Sequence, residues 1–256
     1  MTPQMIEEFQ RDGVARLGRV LSDETVQAIN TRFKELFDAK TGTADQGLRN
    51  ITAASNSAED QTALGNRHFQ LMNPWHMDPV FRDLYQNDAI VKAHHAILGD
   101  KVQLIHDQIF FKPAGDGARS QWHLDNNYFQ CDPPDNALTI WIALDDADQE
   151  NSCLWYMPGS HKLPAGESKI VDTGSTKLIH LKEVDESKLV PYEIKAGHAL
   201  MHHSLVVHGA YPNHSDRCRR SYGIHCVKTG TPKLDGGGFN NFEACPTLDG
   251  TPLHKD

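Results

Sequence analysis

The chain has 256 residues, 39% hydrophobic and 23% charged, the balance of an ordinary globular protein. Its 25 lysines and arginines meet 34 aspartates and glutamates, a net charge of −9, opposite in sign to the basic footprint of a nucleic-acid binder. No apolar run approaches the roughly 20 residues of a membrane helix, and MTPQMIEEFQ lacks the regions of a secretory signal, so a cytoplasmic protein is expected.

The first hundred residues read mostly as helix. Met5, Ile6 and Phe9 recur at helical spacing, and Gly13 is a natural stop. Ser22 opens a capping pattern with Thr25 in third position, and Val26, Ile29, Phe33, Leu36 and Phe37 continue it. Residues 40–65, mostly small and polar, are expected to form a long mobile loop of the kind that serves as a lid. Two more helices are expected over 78–86 and 88–98, capped by Asp78 and Asp88.

Past Gly99 the period becomes two. Leu138, Ile140, Ile142 and Leu144 alternate with Thr139, Trp141 and Ala143. Segments 101–112, 153–157, 189–194, 198–207 and 219–227 carry similar strand signatures between clusters of Gly, Pro, Asn and Asp. Many short strands without strand–helix alternation point to a sandwich or barrel. One domain over 1–256 is expected: a helical part over 1–100, a β core over 101–228, and a loop-like tail over 229–256 folding across the mouth. Five cysteines, an odd number without C-x-x-C spacing, read as free thiols rather than a disulfide framework.

Fifteen histidines raise the question of metal chemistry. The strongest local signal is Gln121-Trp122-His123-Leu124-Asp125. On a strand, residues two apart share a face, so His123 and Asp125 would present an imidazole and a carboxylate together. A histidine from another strand would complete the two-histidine, one-carboxylate set that leaves positions open on iron. The spacing alone is common: His76-Met77-Asp78 repeats it, and there Asp78 before Pro79 reads as a helix cap. The adjacent pairs His94-His95 and His202-His203 diverge on any regular element and make poor chelators, while His161 and His180 fall in expected loops. His208, closing an apolar strand before Gly209, is either a distal ligand or a surface histidine at a turn. Arg219 and Arg220 enter the next strand, either as a buried fork for a dicarboxylate or as surface ion pairs. His106, Gln108, Phe110 and Lys112 would share one strand face.

Together these residues resemble the phytanoyl-CoA dioxygenase family of non-haem iron, 2-oxoglutarate-dependent oxygenases. The resemblance runs through Phe111-Lys112-Pro113, His123-Leu124-Asp125 with Tyr128-Phe129, Trp141, Asn151-Ser152-Cys153-Leu154 and Pro158-Gly159-Ser160-His161-Lys162. It ends at His208-Gly209-Ala210-Tyr211-Pro212-Asn213 with Ser215 and Arg219-Arg220. In that family the arginine for the cosubstrate lies eleven residues past the distal histidine, which selects Arg219 over Arg217 and Arg220. Two positions depart from the pattern: Ala210 stands where Ser is frequent, and Ser152 where Gly is usual.

The resemblance implies a mainly β protein with flanking helices, a double-stranded β-helix (jelly roll, cupin-like). It implies Fe(II) held by His123, Asp125 and His208, 2-oxoglutarate held by Arg219 with Lys112 and Trp141 nearby, and O2. The reaction implied is hydroxylation of a C–H bond in a small-molecule, polar or natural-product substrate, with release of succinate and CO2. Desaturation, cyclisation and epimerisation are alternative outcomes. Halogenation is disfavoured because Asp125 occupies the position that halogenating relatives leave to a small residue. His106, Gln108, Asn127 and Phe129 are the expected substrate contacts, with Gln70, Asn73 and Trp75 closing the pocket. No nucleic-acid or membrane partner is expected, and monomer and homodimer both stay open. The rival classes are a silent jelly-roll binding protein and a cupin-type metal isomerase, neither of which needs Arg219.

Overall fold

Period-two patterning builds the central sheet. In the computed structural model, which describes residues 1–40, 47–234 and 245–248, seven antiparallel strands lie side by side. In spatial order they are β1 (Val14–Arg19), β11 (His198–His203), β6 (Ala137–Ala143), β13 (Arg219–Lys228), β4 (Val102–Lys112), β3 (Phe69–Met72) and β2 (Leu48–Asn50). A second sheet holds β10 (Val190–Tyr192), β7 (Leu154–Tyr156), β12 (His208–Ala210) and β5 (Ser120–His123), while β8 (Ser168–Asp172) and β9 (Lys177–Leu181) form a separate hairpin. The architecture is a jelly roll, mainly antiparallel sheet with flanking helices.

Alternation gives each strand of the large sheet two destinations. Ile140, Ile142, Met201, Tyr222 and Ile224 point to one side, where they share a core with Ile29, Phe33, Phe81, Leu84 and Ile90. Those partners come from α2 (Asp23–Lys40), α4 (Pro79–Tyr85) and α5 (Asp88–Leu98), and α1 (Pro3–Asp12) adds Phe9. Burying each such side chain is worth about 1.5–3 kcal/mol. The alternate residues Thr139, Trp141, His202, Gly223 and His225 point the other way and line a cavity.

Local signals set the helix ends. Gly13 takes the left-handed φ of +76° that stops α1, and a Cβ there would meet His161 Nδ1 at 2.5 Å. The Ser22 hydroxyl accepts from Thr25 N–H at 3.2 Å, and Asp78 caps α4 by accepting from Val80 N–H at 3.0 Å. For α5 the cap is Asn87, not Asp88: Asn87 accepts from Ala89 N–H at 3.0 Å.

The structure departs from the sequence expectations in several places. Strands β1, β2 and β3 come from the stretch read as helical; all three lie towards the sheet edges, and the latter two are too short to show a period. Within the expected loop over 40–65, β2 and α3 (Ala58–Thr62) are regular elements, and residues 41–46 lie outside the described ones. The segment 198–207 is not one strand. It ends at His203, turns, and restarts in the other sheet as β12. The hairpin β8–β9 carried no signal that singled it out. The described tail residues 245–248 do not cross the mouth: Leu104 N–H donates to Pro246 O at 2.9 Å and Leu248 N–H to Val102 O at 3.0 Å. They occupy the stretch of β4 that β3, pairing only with 108–111, leaves open. Residues 235–244 and 249–256, including the run Gly236-Gly237-Gly238, lie outside the described ones. Among the described residues no helix is long and apolar enough to cross a membrane.

Candidate active site

Register in the small sheet brings two histidines together. His208 on β12 lies directly opposite His123 on β5, with ring centroids 4.2 Å apart. The strands approach closely because residue 209 is glycine: a Cβ there would meet Trp122 Cε3 at 2.4 Å. Asp125 joins them by a turn rather than by strand alternation. Strand β5 stops at His123, and Asp125 takes a helical backbone at the start of α6 (Asn126–Phe129). One ligand atom from each of His123, Asp125 and His208 lies within 4.8 Å of the other two. The Asp125 Oδ1 atom is 3.7 Å from His123 Nε2 and 3.5 Å from His208 Nε2.

The remaining atoms of these side chains are committed elsewhere. His123 Nδ1–H donates to Gln121 O at 2.7 Å, and His208 Nδ1–H to Val206 O at 3.0 Å. Both imidazoles therefore aim an unprotonated Nε2 at the shared point. Burial, reinforced for each by a neighbouring imidazole, holds both rings down at about 4, so they are neutral at pH 7. Burial alone would raise the Asp125 carboxyl, but His208, His202 and His225 hold it well below the usual carboxylate range. Two neutral nitrogens and one carboxylate oxygen converging this way fit a divalent metal with open positions.

Asp125 Oδ2 is saturated by two donors, Thr139 Oγ1–H at 2.6 Å and His202 Nε2–H at 3.0 Å. Each donor heads a chain. His202 Nδ1 accepts from the Tyr156 hydroxyl at 2.9 Å. Thr139 Oγ1 accepts from His225 Nδ1–H at 2.7 Å, and His225 Nε2 accepts from Gln108 Nε2 at 2.7 Å. Gln108 Oε1 accepts from Gln70 at 2.6 Å, and Gln70 Oε1 accepts from Arg49 at 3.0 and 3.2 Å. Every donor in this chain points toward Asp125, so the bonds polarise one another in one direction.

Farther along the large sheet, Arg219 and Lys112 are cross-strand partners, 2% and 0% exposed. Arg219 donates to Ser152 O at 3.1 Å and Ser221 Oγ at 2.8 Å, and lies 5.5 Å from the Trp141 ring centroid. Lys112 donates to Ser152 Oγ at 2.8 Å and Tyr211 O at 3.3 Å. Neither cation meets a carboxylate among the described residues. Burial pulls Arg219 down to about 10, and burial with the Arg219 charge pulls Lys112 well below its ordinary value. By contrast Arg217 pairs with Asp148 and Glu150, and Arg220 with Asp145. His68 Nε2, buried in the wall of the same cavity, has no hydrogen-bond partner among the described residues. Two buried unmatched cations and an orphaned nitrogen fit a bound carboxylate. Ser152 holds a left-handed φ of +79° where glycine is usual, and its hydroxyl gives Lys112 the acceptor that glycine lacks.

His106, Gln108, Phe129, Trp141 and Arg219 line the cavity, as do Gln70 and Phe110. Asn127 does not; its amide donates to Ser168 Oγ at 2.9 Å and ties α6 to β8. Asn73 and Trp75 also lie elsewhere, against Asp107 at the foot of α4. His202 is not among the converging ligand atoms but supports Asp125, and His180, expected in a loop, sits instead on β9 in the cavity wall. Thr139, His225, Tyr156, His68 and Arg49 were not singled out. Alternation from Trp141 and Arg219 would have placed Thr139 and His225 on the cavity face.

The family model for phytanoyl-CoA dioxygenase (PhyH) matches residues 9–221. A Danio rerio protein, phytanoyl-CoA dioxygenase domain-containing protein 1, is 31% identical over 271 residues, covering 90% of this chain and 91% of its own. Among solved structures, the non-haem alpha-ketoglutarate-dependent carbocyclase SnoK from nogalamycin biosynthesis is similar with a TM-score of 0.76 at 20% identity, covering 100% of this chain and 94% of its own. The epimerase SnoN, in complex with Fe3+, alpha ketoglutarate and nogalamycin RO, is similar with a TM-score of 0.71 at 19% identity, covering 96% and 97%.

Proposed function

The chain belongs to the phytanoyl-CoA dioxygenase family, the Fe(II)- and 2-oxoglutarate-dependent oxygenases, and from that premise we propose that it hydroxylates a C–H bond of a small-molecule substrate, with His123, Asp125 and His208 holding the iron. The observation that carries this reading is Arg219, a buried guanidinium without a described acid, in the cavity where three ligand atoms converge.

Each residue has a definable task. His123 and His208 present Nε2 because backbone carbonyls hold their Nδ1 protons. Asp125 presents Oδ1 because Thr139 and His202 occupy Oδ2. Arg219, with Lys112 beside it, takes the distal carboxylate of 2-oxoglutarate in a site from which protein packing excludes water. Trp141 stacks near that guanidinium and keeps the cosubstrate end apolar. Phe110 and Phe129 wall the space left for the substrate, where exclusion of water protects the oxidising step. When bound, iron with 2-oxoglutarate and O2 supplies the oxidising power, releasing succinate and CO2 and replacing a substrate hydrogen by hydroxyl.

The test is succinate release from 2-oxoglutarate with Fe(II) and ascorbate over a substrate panel, with Asp125→Ala as control. Product mass separates the outcomes. Gain of one oxygen supports hydroxylation, and loss of two hydrogens indicates desaturation or ring closure. An unchanged mass with altered stereochemistry indicates epimerisation. No succinate above the Asp125→Ala control with any substrate would overturn the assignment.

A further inference from the structure

The cavity contradicts the charge of the whole chain. In a protein of net charge −9, the described cavity wall carries Arg49, Arg119, Lys177 and Arg219 against the single carboxylate of Asp125. Arg119 is already matched by Glu186 at 2.7 Å. Arg219 is accounted for by the cosubstrate. Lys177 is exposed to solvent at the start of β9, which leaves Arg49 not accounted for.

Arg49 sits on β2, half-buried, at the edge of the large sheet. Of its five N–H donors, Nε and one Nη2 proton go to Gln70 Oε1, and no carboxylate meets it among the described residues. Burial pulls its pKa down, with no ion pair to oppose that shift. The guanidinium is also held in place. Gln70 is fixed by Gln108, and Gln108 by His225, so the fork is oriented before any ligand arrives. An oriented, partly desolvated guanidinium without a counter-charge is the state in which Arg219 awaits its carboxylate.

The cosubstrate does not satisfy both arginines. Strands β4 and β3 separate β13 from β2, so Arg219 and Arg49 stand three strand spacings apart, about 14 Å at the backbone. The five-carbon chain of 2-oxoglutarate, anchored at one end by Arg219 and at the other by the metal, leaves no anion for Arg49.

We infer that Arg49 receives an anionic group of the prime substrate, a carboxylate or phosphate, and that this enzyme acts on a small organic acid. The anion sits at the β2 edge and the organic body lies over Ile51, Met72 and Phe110, all in the cavity wall. This specificity assignment rests on the oxygenase reading, and it deepens that reading by naming the substrate class.

The test is anaerobic calorimetric titration of the full chain, loaded with Fe(II) and saturating 2-oxoglutarate, with benzoate, phenyl phosphate and benzamide. Benzoate and benzamide share a shape and differ in charge. At least one anion is expected to bind about tenfold or more tighter than benzamide, the range of one charge-assisted hydrogen bond. Tighter benzoate identifies a carboxylate substrate, and tighter phenyl phosphate a phosphate ester. Arg49→Gln is expected to bring the favoured anion down to the benzamide level, and Arg49→Lys to restore part of the difference. Both variants should leave 2-oxoglutarate affinity within about twofold, since Arg49 does not touch that ligand. Equal binding of anions and benzamide, anion binding indifferent to Arg49→Gln, or a loss of 2-oxoglutarate affinity in that variant would each overturn the inference. Failure of the oxygenase reading gives a separate result, a wild-type chain that takes up neither Fe(II) nor 2-oxoglutarate. In that event the same three probes on the metal-free chain, with and without Arg49→Gln, still decide the anion site.

Discussion

On β4, His106 and Gln108 line the cavity and Lys112 lies on the same strand face, while Asp107 faces the helices, and all four are buried. The two faces treat their polar groups differently. Asp107 accepts from the Tyr222 hydroxyl and from Trp75 N–H, and burial pushes its carboxyl up to about 7. Among the described residues it is an acid with local donors and no cation, a polar group enclosed by its own fold. On the other face the cations Lys112 and Arg219 have donors to spare and, among the described residues, no acid. Burial of a polar group therefore does not mark a site in this molecule. A buried cation with donors to spare and no described acid beside it does.

The sharpest way to break that contrast is Arg219→Gln. The account expects 2-oxoglutarate affinity to fall about 100-fold, close to 2.7 kcal/mol, with Fe(II) uptake unchanged; anaerobic calorimetry reads both. Loss of iron instead would place Arg219 in a different role. Thr139→Val comes next, because it removes one of two donors to Asp125 Oδ2 and leaves the ligand atoms themselves intact. Fe(II) affinity is expected to drop about tenfold, as for other groups that orient a metal ligand.

On the opposite face the same kind of cut should be silent toward ligands. Tyr222→Phe takes a donor from buried Asp107 and is expected to cost about 1–3 kcal/mol in urea denaturation. Affinities for Fe(II) and 2-oxoglutarate should not move. If they do, the two faces are coupled and the contrast fails.

The smallest effect is in the pH dependence of the metal-free chain, where the faces pull in opposite directions. Burial holds His106, His123 and His208 near 4, below their ordinary 6.5. Between those values the unfolded chain binds protons that the folded chain refuses, so stability falls as pH drops from 6.5 toward 4. Asp107 is raised from 3.8 to about 7, so its contribution is full below 3.8 and is lost as pH rises through 7. Asp107→Asn removes the opposing slope. Thermal melts of that variant should gain more between pH 4 and 7 than those of the wild type.

Much of this was legible in the residues, and what was not has identifiable causes. The row Leu138, Ile140 and Ile142 announced its strand because that face packs on the helices while the alternate Thr139 and Trp141 face the cavity. Strands β2 and β3, at one end of the sheet, have three and four residues, too few for a period to stand out. The pairing of His123 with Asp125 was anticipated for the wrong local reason, since a turn after β5 brings them together. His202 was weighed only against its neighbour His203, and His225 was not singled out. Their partners are distant in the chain, Asp125 on the turn after β5 and Thr139 on β6, and only tertiary packing assembles them. Arg49 had no sequence signal at all. Its meaning is the absence of a described acid around it, a property of packing rather than of pattern.

The central claim is that three converging side chains and one unmatched arginine form a single cosubstrate-bearing metal site. Anaerobic titration of the full chain with Fe(II), then with 2-oxoglutarate, tests it most directly. One Fe(II) per chain is expected, with 2-oxoglutarate binding that strengthens once iron is present and loss of iron in Asp125→Ala. Iron retained at full stoichiometry in Asp125→Ala, or 2-oxoglutarate binding indifferent to iron, would contradict it.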